Sequence, residues 1–136
     1  MNIFLKDISL LIFRVSIGLF MMFGHGWGKL NRLLSGEEIK FLDLFGLGAY
    51  FSFTLATLVE FFASALIVLG LFTRLSSLSL ITTMIVAAFV AHAEDPFSKK
   101  EMALLYLVSY ILIFLQGSGK FSLNYFFSNE INKSKS

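Results

Sequence analysis

The sequence contains no cysteine, and its 136 residues include only one proline, one tryptophan and two histidines. Without cysteine the chain cannot form a disulfide framework, a thiolate metal site or a thiol redox motif. A single proline argues against a proline-rich linker or a disordered protein. Charged residues are also scarce, at 15% of the chain, and no run of five or more basic residues occurs. Nucleic-acid binding therefore has little support.

Apolar residues are abundant instead. They make up 57% of the chain and include 17 phenylalanines, whereas soluble domains are about 45–50% apolar and about 25% charged. One soluble core of this size cannot bury so much apolar surface, so the composition favours lipid as the surrounding solvent. We therefore expect a single domain over 1–136 that is an all-α, polytopic membrane protein.

Four apolar segments predict four membrane helices, at about 8–30, 51–72, 75–91 and 99–116. The first segment contains Arg14 and ends in His-Gly-Trp-Gly-Lys, which favours a retained helix over a cleaved signal peptide. The link at Thr73-Arg74 is short, so the third helix must run back beside the second. These features predict an antiparallel bundle of four transmembrane helices.

The segment between the first two spans predicts a short interfacial helix. Ser35 and Glu38 have the spacing of a capping box, and three apolar residues follow at helical spacing, namely Ile39, Leu42 and Phe45. Its charged residues would face water. The alternative is a lid over a cavity. The polar tail that follows Lys120 is expected to fray.

A few polar side chains interrupt the apolar spans. Glu60 lies near the middle of the second span, where an unpaired charge is costly, so it should face the bundle interior. Arg14 and Lys29 are expected to extend towards the lipid headgroups, whereas the side chain of His25 is too short to do so. The candidate buried polar site consists of His25, Lys29, Thr57, Glu60, His92, Tyr106 and Tyr110. We predict no metal site and assign no catalytic residue.

Several segments, in this order along the chain, resemble the DoxX family of small four-helix membrane proteins. They are RVSIGLFMMFGHGWGKL at 14–30, FGLGAYFSF at 45–53, LVEFFASALIVLGLFTRLSSLSL at 58–80, and the later Ala-His and GSGKFSLN segments. The resemblance implies a helical bundle in a bacterial plasma membrane, with family positions at His25-Gly26, Glu60 and Thr73-Arg74. The chain departs from the family near its end, where Gly117-Ser118-Gly119 and Ser122-Leu123-Asn124 replace Gly-Pro-Gly and Ser-Leu-Asp.

The resemblance also implies a redox function, because some members resemble a subunit of a thiosulfate:quinone oxidoreductase. Our first hypothesis is a quinone site, which needs an apolar pocket, hydrogen-bond donors at the carbonyls and a route for protons. His25 and Glu60 are the candidate proton carriers. The chain has no flavin, nicotinamide or iron–sulfur motif, so a redox partner subunit would have to supply electrons. Whether the chain is itself an enzyme is left open.

Three alternatives remain. A non-catalytic adaptor or assembly subunit would use the polar residues only for hydrogen bonds within the bundle. A small-solute or proton carrier would use Glu60 and His25 on facing helices. Haem held between His25 and His92 is the weakest alternative, because two isolated histidines are a weak signal.

Four spans would place both termini on the same side of the membrane. That side collects six of the 11 basic residues, which weakly favours cytoplasmic termini in the bacterial inner membrane. The expected partners are the lipid bilayer, a redox subunit and further copies of this chain in a homo-oligomer.

Overall fold

A computed structural model describes residues 2–135 of the chain. Every regular element in that part is a helix, which confirms the all-α class. The helices are α1 (residues 3–35), α2 (Ala49–Leu69), α3 (Thr73–Ala91), α4 (Phe97–Gln116) and α5 (Leu123–Ser134). The bounds of α2, α3 and α4 agree with the sequence prediction to within three residues, whereas α1 extends five residues further at each end.

Two of these helices, α2 and α3, are long and apolar enough to cross a membrane. Only 33% of the most apolar stretch of α2, and 28% of that of α3, is buried against the rest of the chain. Large apolar side chains therefore point outward from both helices, as Phe62 and Phe89 do. A helix that is apolar on its outer face as well needs an apolar surrounding, which agrees with the predicted membrane environment.

Short connections place α2, α3 and α4 side by side, with three residues between α2 and α3 and five between α3 and α4. The turn after α2 is a Schellman motif, in which the Leu71 N–H donates to the Leu66 carbonyl and the Gly70 N–H to that of Ile67. Gly70 has a φ of 72°, which suits a residue without a Cβ. The turn folds α3 back along α2, and α4 then packs on α3. The largest apolar cluster lies between α1, α2, α3 and α4 and contains Met21, Ile67, Leu80, Met84, Tyr106, Tyr110 and Ile113.

Short π-helical segments interrupt α1 at Met22–Gly26 and α2 at Val59–Ala63, and a third ends α3 at Ala87–Ala91. The first two pack against each other. A Cβ placed on Gly26 would lie only 2.8 Å from the Phe61 backbone nitrogen, so the two backbones are almost in contact. π-Segments are rare and are often found at functional sites.

The π-segment in α1 changes which residues face the bundle. Arg14, Gly18 and Met21 are buried, as the sequence periodicity predicts. The wider turn then inserts one extra residue, so that Gly26 is buried and His25 is exposed. Regular helical spacing places His25 on the same face as Arg14, Gly18 and Met21, and the structure shows that this placement is wrong.

Arg14 is buried inside the bundle, with 1% of its surface exposed, and the expectation that it extends to the headgroups is wrong. Its Nη1 donates to the carbonyls of Ile67, at 2.5 Å, and Val68, at 2.8 Å. Its Nη2 donates to the Phe121 carbonyl at 2.7 Å. The carbonyls in the last turn of a helix have no partner within that helix. Arg14 thus caps α2 and ties it to the segment that precedes α5.

The predicted interfacial helix after the first span is also wrong. α1 continues to Ser35, Gly36 ends it with a φ of 73°, and residues 37–48 form a loop without helix. The capping box does not form, because the Ser35 hydroxyl donates to the Arg32 carbonyl instead. The loop is held by the Leu44 N–H, which donates to the Ser52 hydroxyl.

The tail after Lys120 forms the helix α5, where the sequence analysis expected fraying. The Ser122 side chain caps its N-terminus by accepting from the Tyr125 N–H. The Asn124 N–H donates to the Gly70 carbonyl, so the start of α5 is fixed to the turn between α2 and α3. Tertiary hydrogen bonds therefore stabilise a helix whose own sequence is largely polar.

Replacement of Arg14 by methionine should destabilise the protein by roughly 2–4 kcal/mol, because the carbonyls of Ile67, Val68 and Phe121 lose a charged donor. The thermal midpoint of purified protein in detergent measures this effect. Arg32→Met is the matched control, since Arg32 is exposed and makes only a ring contact with Phe53. Equal midpoints for wild type and Arg14→Met would contradict the capping role of Arg14.

The contact between the two π-segments predicts opposite results for two neighbouring glycines. Gly26→Ala should destabilise the protein by about 1–3 kcal/mol, because the new methyl group meets the α2 backbone. Gly28→Ala should be neutral or slightly stabilising, since nothing lies within 4 Å of its Cβ position. Both effects are measured as shifts of the thermal midpoint, and equal shifts would argue against the close approach at Gly26.

Candidate functional site

A buried ion pair joins α1 to α2. The Lys29 ammonium lies 2.6 Å from Oε1 and 2.5 Å from Oε2 of Glu60. Glu60 is 5% exposed, and the Lys29 side chain is 25% exposed. The carboxylate predicted to face the bundle interior does so, and Lys29 pairs with it rather than extending to the headgroups. A buried pair of this kind is costly to break by removing one partner, because the other charge is left uncompensated.

The loop over residues 37–48 covers this ion pair. The Phe41 ring centroid lies 5.9 Å from the Lys29 ammonium, and the same ring packs edge-on against Phe53 at 5.3 Å. The Asp43 carboxylate accepts from the Gly48 N–H, which closes the end of the loop. The arrangement is that of the lid that the sequence analysis considered as its alternative to an interfacial helix.

A cavity of about 290 Å³ lies between this loop and the faces of α2 and α3. Lys29, Glu60 and His92 all line it, and most of the remaining lining is apolar. The residues that line it are Lys29, Phe41, Leu42, Leu44, Phe45, Ser52, Leu55, Ala56, Glu60, Thr82, Thr83, Val86, Ala87, Ala91 and His92. The volume is near the lower end of the range for small-molecule pockets, about 300–1,000 Å³.

His92 follows α3 directly and is half-buried. Its Nδ1 lies 2.7 Å from the Asp95 carboxylate. This hydrogen bond lowers the pKa of Asp95, which is in the exposed link between α3 and α4. The bond orients the imidazole and leaves Nε2 as the second polar atom of the ring.

Four predicted site residues lie outside this cavity, three of them on α1 and α4 and the fourth, Thr57, on α2. His25 is exposed and packs edge-on against Tyr106, with ring centroids 5.6 Å apart. Tyr106 in turn stacks on Tyr110 at 6.0 Å. Neither tyrosine lines the cavity that contains Glu60. The Tyr110 hydroxyl is buried and lies beside the Ser64 hydroxyl.

Thr57 is fully buried, and its hydroxyl donates to the Phe53 carbonyl one turn earlier. That bond satisfies the hydroxyl within α2, so Thr57 is not available to a ligand. The structure thus brings Lys29, Glu60 and His92 to one cavity and separates them from His25, Tyr106, Tyr110 and Thr57.

The positions of the polar residues also bear on whether the chain could bind a metal ion or haem. Within the part of the chain that the structure describes, no group of three or more histidines, aspartates or glutamates is placed to hold a metal ion. The two histidines of the haem alternative have different surroundings, since His25 packs on Tyr106 whereas His92 bonds Asp95.

Two features of the site were not predicted from the sequence. One is the aromatic cover from Phe41, and the other is the hydroxyl-bearing wall of α3 at Thr82 and Thr83. The spacing of the apolar residues in the loop was a usable signal, but it was interpreted as a helix face. A second usable signal was the presence of one basic and one acidic residue, Lys29 and Glu60, on neighbouring spans.

A charge swap tests the ion pair directly. Glu60→Lys should lower the thermal midpoint and the yield of monodisperse protein, because breaking a buried pair costs about 3–5 kcal/mol. The double variant Lys29→Glu/Glu60→Lys should recover part of that loss. The measurement is size-exclusion chromatography in detergent with a thermal scan.

Lys40→Glu is the control for this swap, since Lys40 is exposed in the loop. It should leave the yield and the midpoint close to those of wild type. A Glu60→Lys variant as stable as wild type, or a double variant no better than the single one, would contradict a supporting role for the pair.

Comparisons with known proteins agree with the resemblance noted in the sequence. A sequence model of the DoxX family matches residues 9–93, which include α2, α3 and most of α1. No curated protein and no solved structure matches the chain. The matched segment contains Lys29, Glu60 and His92, and it covers more than half of the chain. This chain is therefore a member of the DoxX family.

Proposed function

We propose that the chain crosses the bacterial plasma membrane four times, as an antiparallel bundle of α1–α4 with cytoplasmic termini. α4 has 20 residues, which gives a length of about 30 Å and matches the hydrocarbon core of a bilayer. α1 is longer, at about 50 Å for residues 3–35, so one end of it extends beyond the core. Large apolar side chains point outward from all four helices, for example Phe20, Phe62, Phe89 and Leu105.

We further propose that the covered cavity binds a small, largely apolar ligand with hydrogen-bond acceptors, of the quinone class. The observation that supports this proposal is the cavity itself. Two positions with N–H groups, Lys29 and His92, line a space whose other walls are mostly apolar. A quinone ring has two carbonyl oxygens as acceptors, and its tail is apolar, so both parts of the ligand suit this lining.

A bound quinone would accept two electrons and two protons to become a quinol. The residues of this chain would hold the ring and supply protons. Lys29 and His92 would donate hydrogen bonds to the carbonyl oxygens, while Glu60 holds the ammonium group in place. His92 would be the proton donor of the site in its imidazolium form, with its Nδ1–H held by Asp95 and its Nε2–H donated to the ligand. His25, which the sequence analysis considered for this role, is outside the cavity.

Electrons would come from another protein. The chain has no flavin, nicotinamide or iron–sulfur motif, and it has no cysteine to bind a cluster. The proposal therefore makes this chain the membrane subunit of a redox complex, in which a partner subunit carries the electron donor. A homo-oligomer within the bilayer is compatible with the same role.

One observation favours a second function, that of a non-catalytic adaptor or assembly subunit. Both oxygens of Glu60 are already bound by Lys29, and Thr57 is bound to the backbone. The polar residues of α1 and α2 could then serve only to hold the helices together. On this reading a lipid chain fills the cavity, and no quinone is retained.

The two histidines supply a matched pair of variants that separates these functions. A quinone with a short isoprenoid tail should quench the single tryptophan, Trp27, which packs against Phe61 next to Glu60. His92→Ala should weaken binding about tenfold, as expected for the loss of one hydrogen bond. His25→Ala should bind like wild type. Titration of the purified protein in detergent measures the three affinities.

Analysis of an organic extract of the purified protein is the companion measurement. Bound quinone in wild type that is lost in His92→Ala supports the redox function. Failure of wild type to bind quinone saturably, with an extract free of quinone and a co-purifying partner protein, would favour the adaptor. Equal affinities for His92→Ala and wild type would show that the quinone does not bind in this cavity.

A further inference from the structure

A second and larger cavity lies at the end of the bundle where the turn between α2 and α3 meets α5. Its volume is about 600 Å³. Three segments line it, namely the start of α3 at 72–75, the link between α4 and α5 at 116–119, and Asn124, Tyr125 and Ser128 of α5. None of these residues contributes to the cavity that contains Glu60, so the two spaces are separate.

The N-terminus of α3 supplies unused donors to this cavity. Phe72 precedes the helix in a left-handed conformation, and the first intrahelical partner of its carbonyl is Ser76. The N–H groups of Thr73, Arg74 and Leu75 therefore begin the helix, and no carbonyl among residues 2–135 accepts from them. Free N–H groups together with the helix dipole favour an anion at this position.

The Thr73 hydroxyl is a second, independent sign of a ligand. Thr73 is 1% exposed and lines the cavity, yet its Oγ1 has no hydrogen-bond partner within the described part of the chain. Buried hydroxyl groups nearly always have a partner, so an unpartnered one at a cavity wall needs an explanation. A bound acceptor that also receives the N–H groups of α3 would satisfy it.

Arg74 gives the cavity a positive charge. Its guanidinium makes no ion pair or hydrogen bond with any residue in 2–135, and it lies beside Gly117, with Nε 3.7 Å from the position of a Cβ there. No aspartate or glutamate is among the lining residues. An unopposed guanidinium beside free N–H groups is suited to a tetrahedral oxyanion, which offers several acceptors in a small volume.

We propose that this cavity binds a phosphate group, carried by a lipid or free in solution, through the N-terminus of α3, the Thr73 hydroxyl and the Arg74 guanidinium. The surroundings suit either source. Phe72 and Leu75 are exposed apolar residues at the rim, where acyl chains would pass, and the volume also admits a free phosphate with its water. The site is independent of quinone binding, because the other cavity contributes nothing to it.

The test uses the full chain purified in a non-ionic detergent, with binding followed by thermal shift. Three probes are compared, namely phosphatidylglycerol in mixed micelles, inorganic phosphate at constant ionic strength, and diacylglycerol, which lacks a phosphate. Arg74→Gln should weaken phosphate binding about tenfold, in line with the loss of a charged donor. Thr73→Val should weaken it several-fold without lowering the thermal midpoint of the ligand-free protein, because the hydroxyl has no partner there.

Lys120→Gln is the control, since it removes one positive charge from the link before α5 without altering the lining. It should bind the phosphate probes like wild type. Saturable binding of the lipid alone assigns the phosphate to a headgroup, and binding of inorganic phosphate assigns it to a soluble source. Absence of binding by both probes, equal binding by diacylglycerol, or equal losses in Lys120→Gln and Arg74→Gln would overturn the proposal.

Discussion

The contact between α1 and α2 is the interaction on which the rest of the structure depends. At one end Arg14 binds the last carbonyls of α2, and at the other end Lys29 pairs with Glu60. Gly18 and Gly26 lie between them, and each brings the α1 backbone against α2. In an apolar surrounding, every buried charge and carbonyl must find its partner within the protein. The two cations of α1 therefore fix both the register and the rotation of α1 relative to α2.

The same contact organises both ends of the molecule. Arg14 also reaches the Phe121 carbonyl, and this bond places the link before α5 beside the turn between α2 and α3. The cavity that contains Thr73 and Arg74 results from that placement. At the other end the loop over 37–48 packs on Lys29 through Phe41, and it closes the cavity that contains Glu60 and His92. Lys29 lines one cavity directly, and Arg14 holds in place the link before α5 that lines the other.

The family match accounts for the membrane character of the chain, whereas the linings of the two cavities indicate which ligands the chain could bind. The two linings differ. The cavity at Glu60 has an ion pair that is satisfied within the chain, and a neutral ligand suits it. The cavity at Arg74 has a cation, free N–H groups and an unpartnered hydroxyl, and a negative ligand suits that arrangement. A neutral ligand and an anionic ligand could then bind at the same time without competing for one site.

The sequence by itself determined the membrane environment, the positions of four helices and the burial of Glu60, because apolar segment length and the cost of a buried charge are local properties. It did not determine which side chains meet. The π-segment at Met22–Gly26 shifts the helix phase by one residue, so His25 turned outward where regular spacing placed it inside. Arg14, taken for a side chain at the headgroups, is buried because it donates to the Ile67 and Val68 carbonyls at the end of α2. The partner of a charge, the cover of a cavity and the stability of α5 depend on contacts between distant segments, and only the tertiary structure decided them.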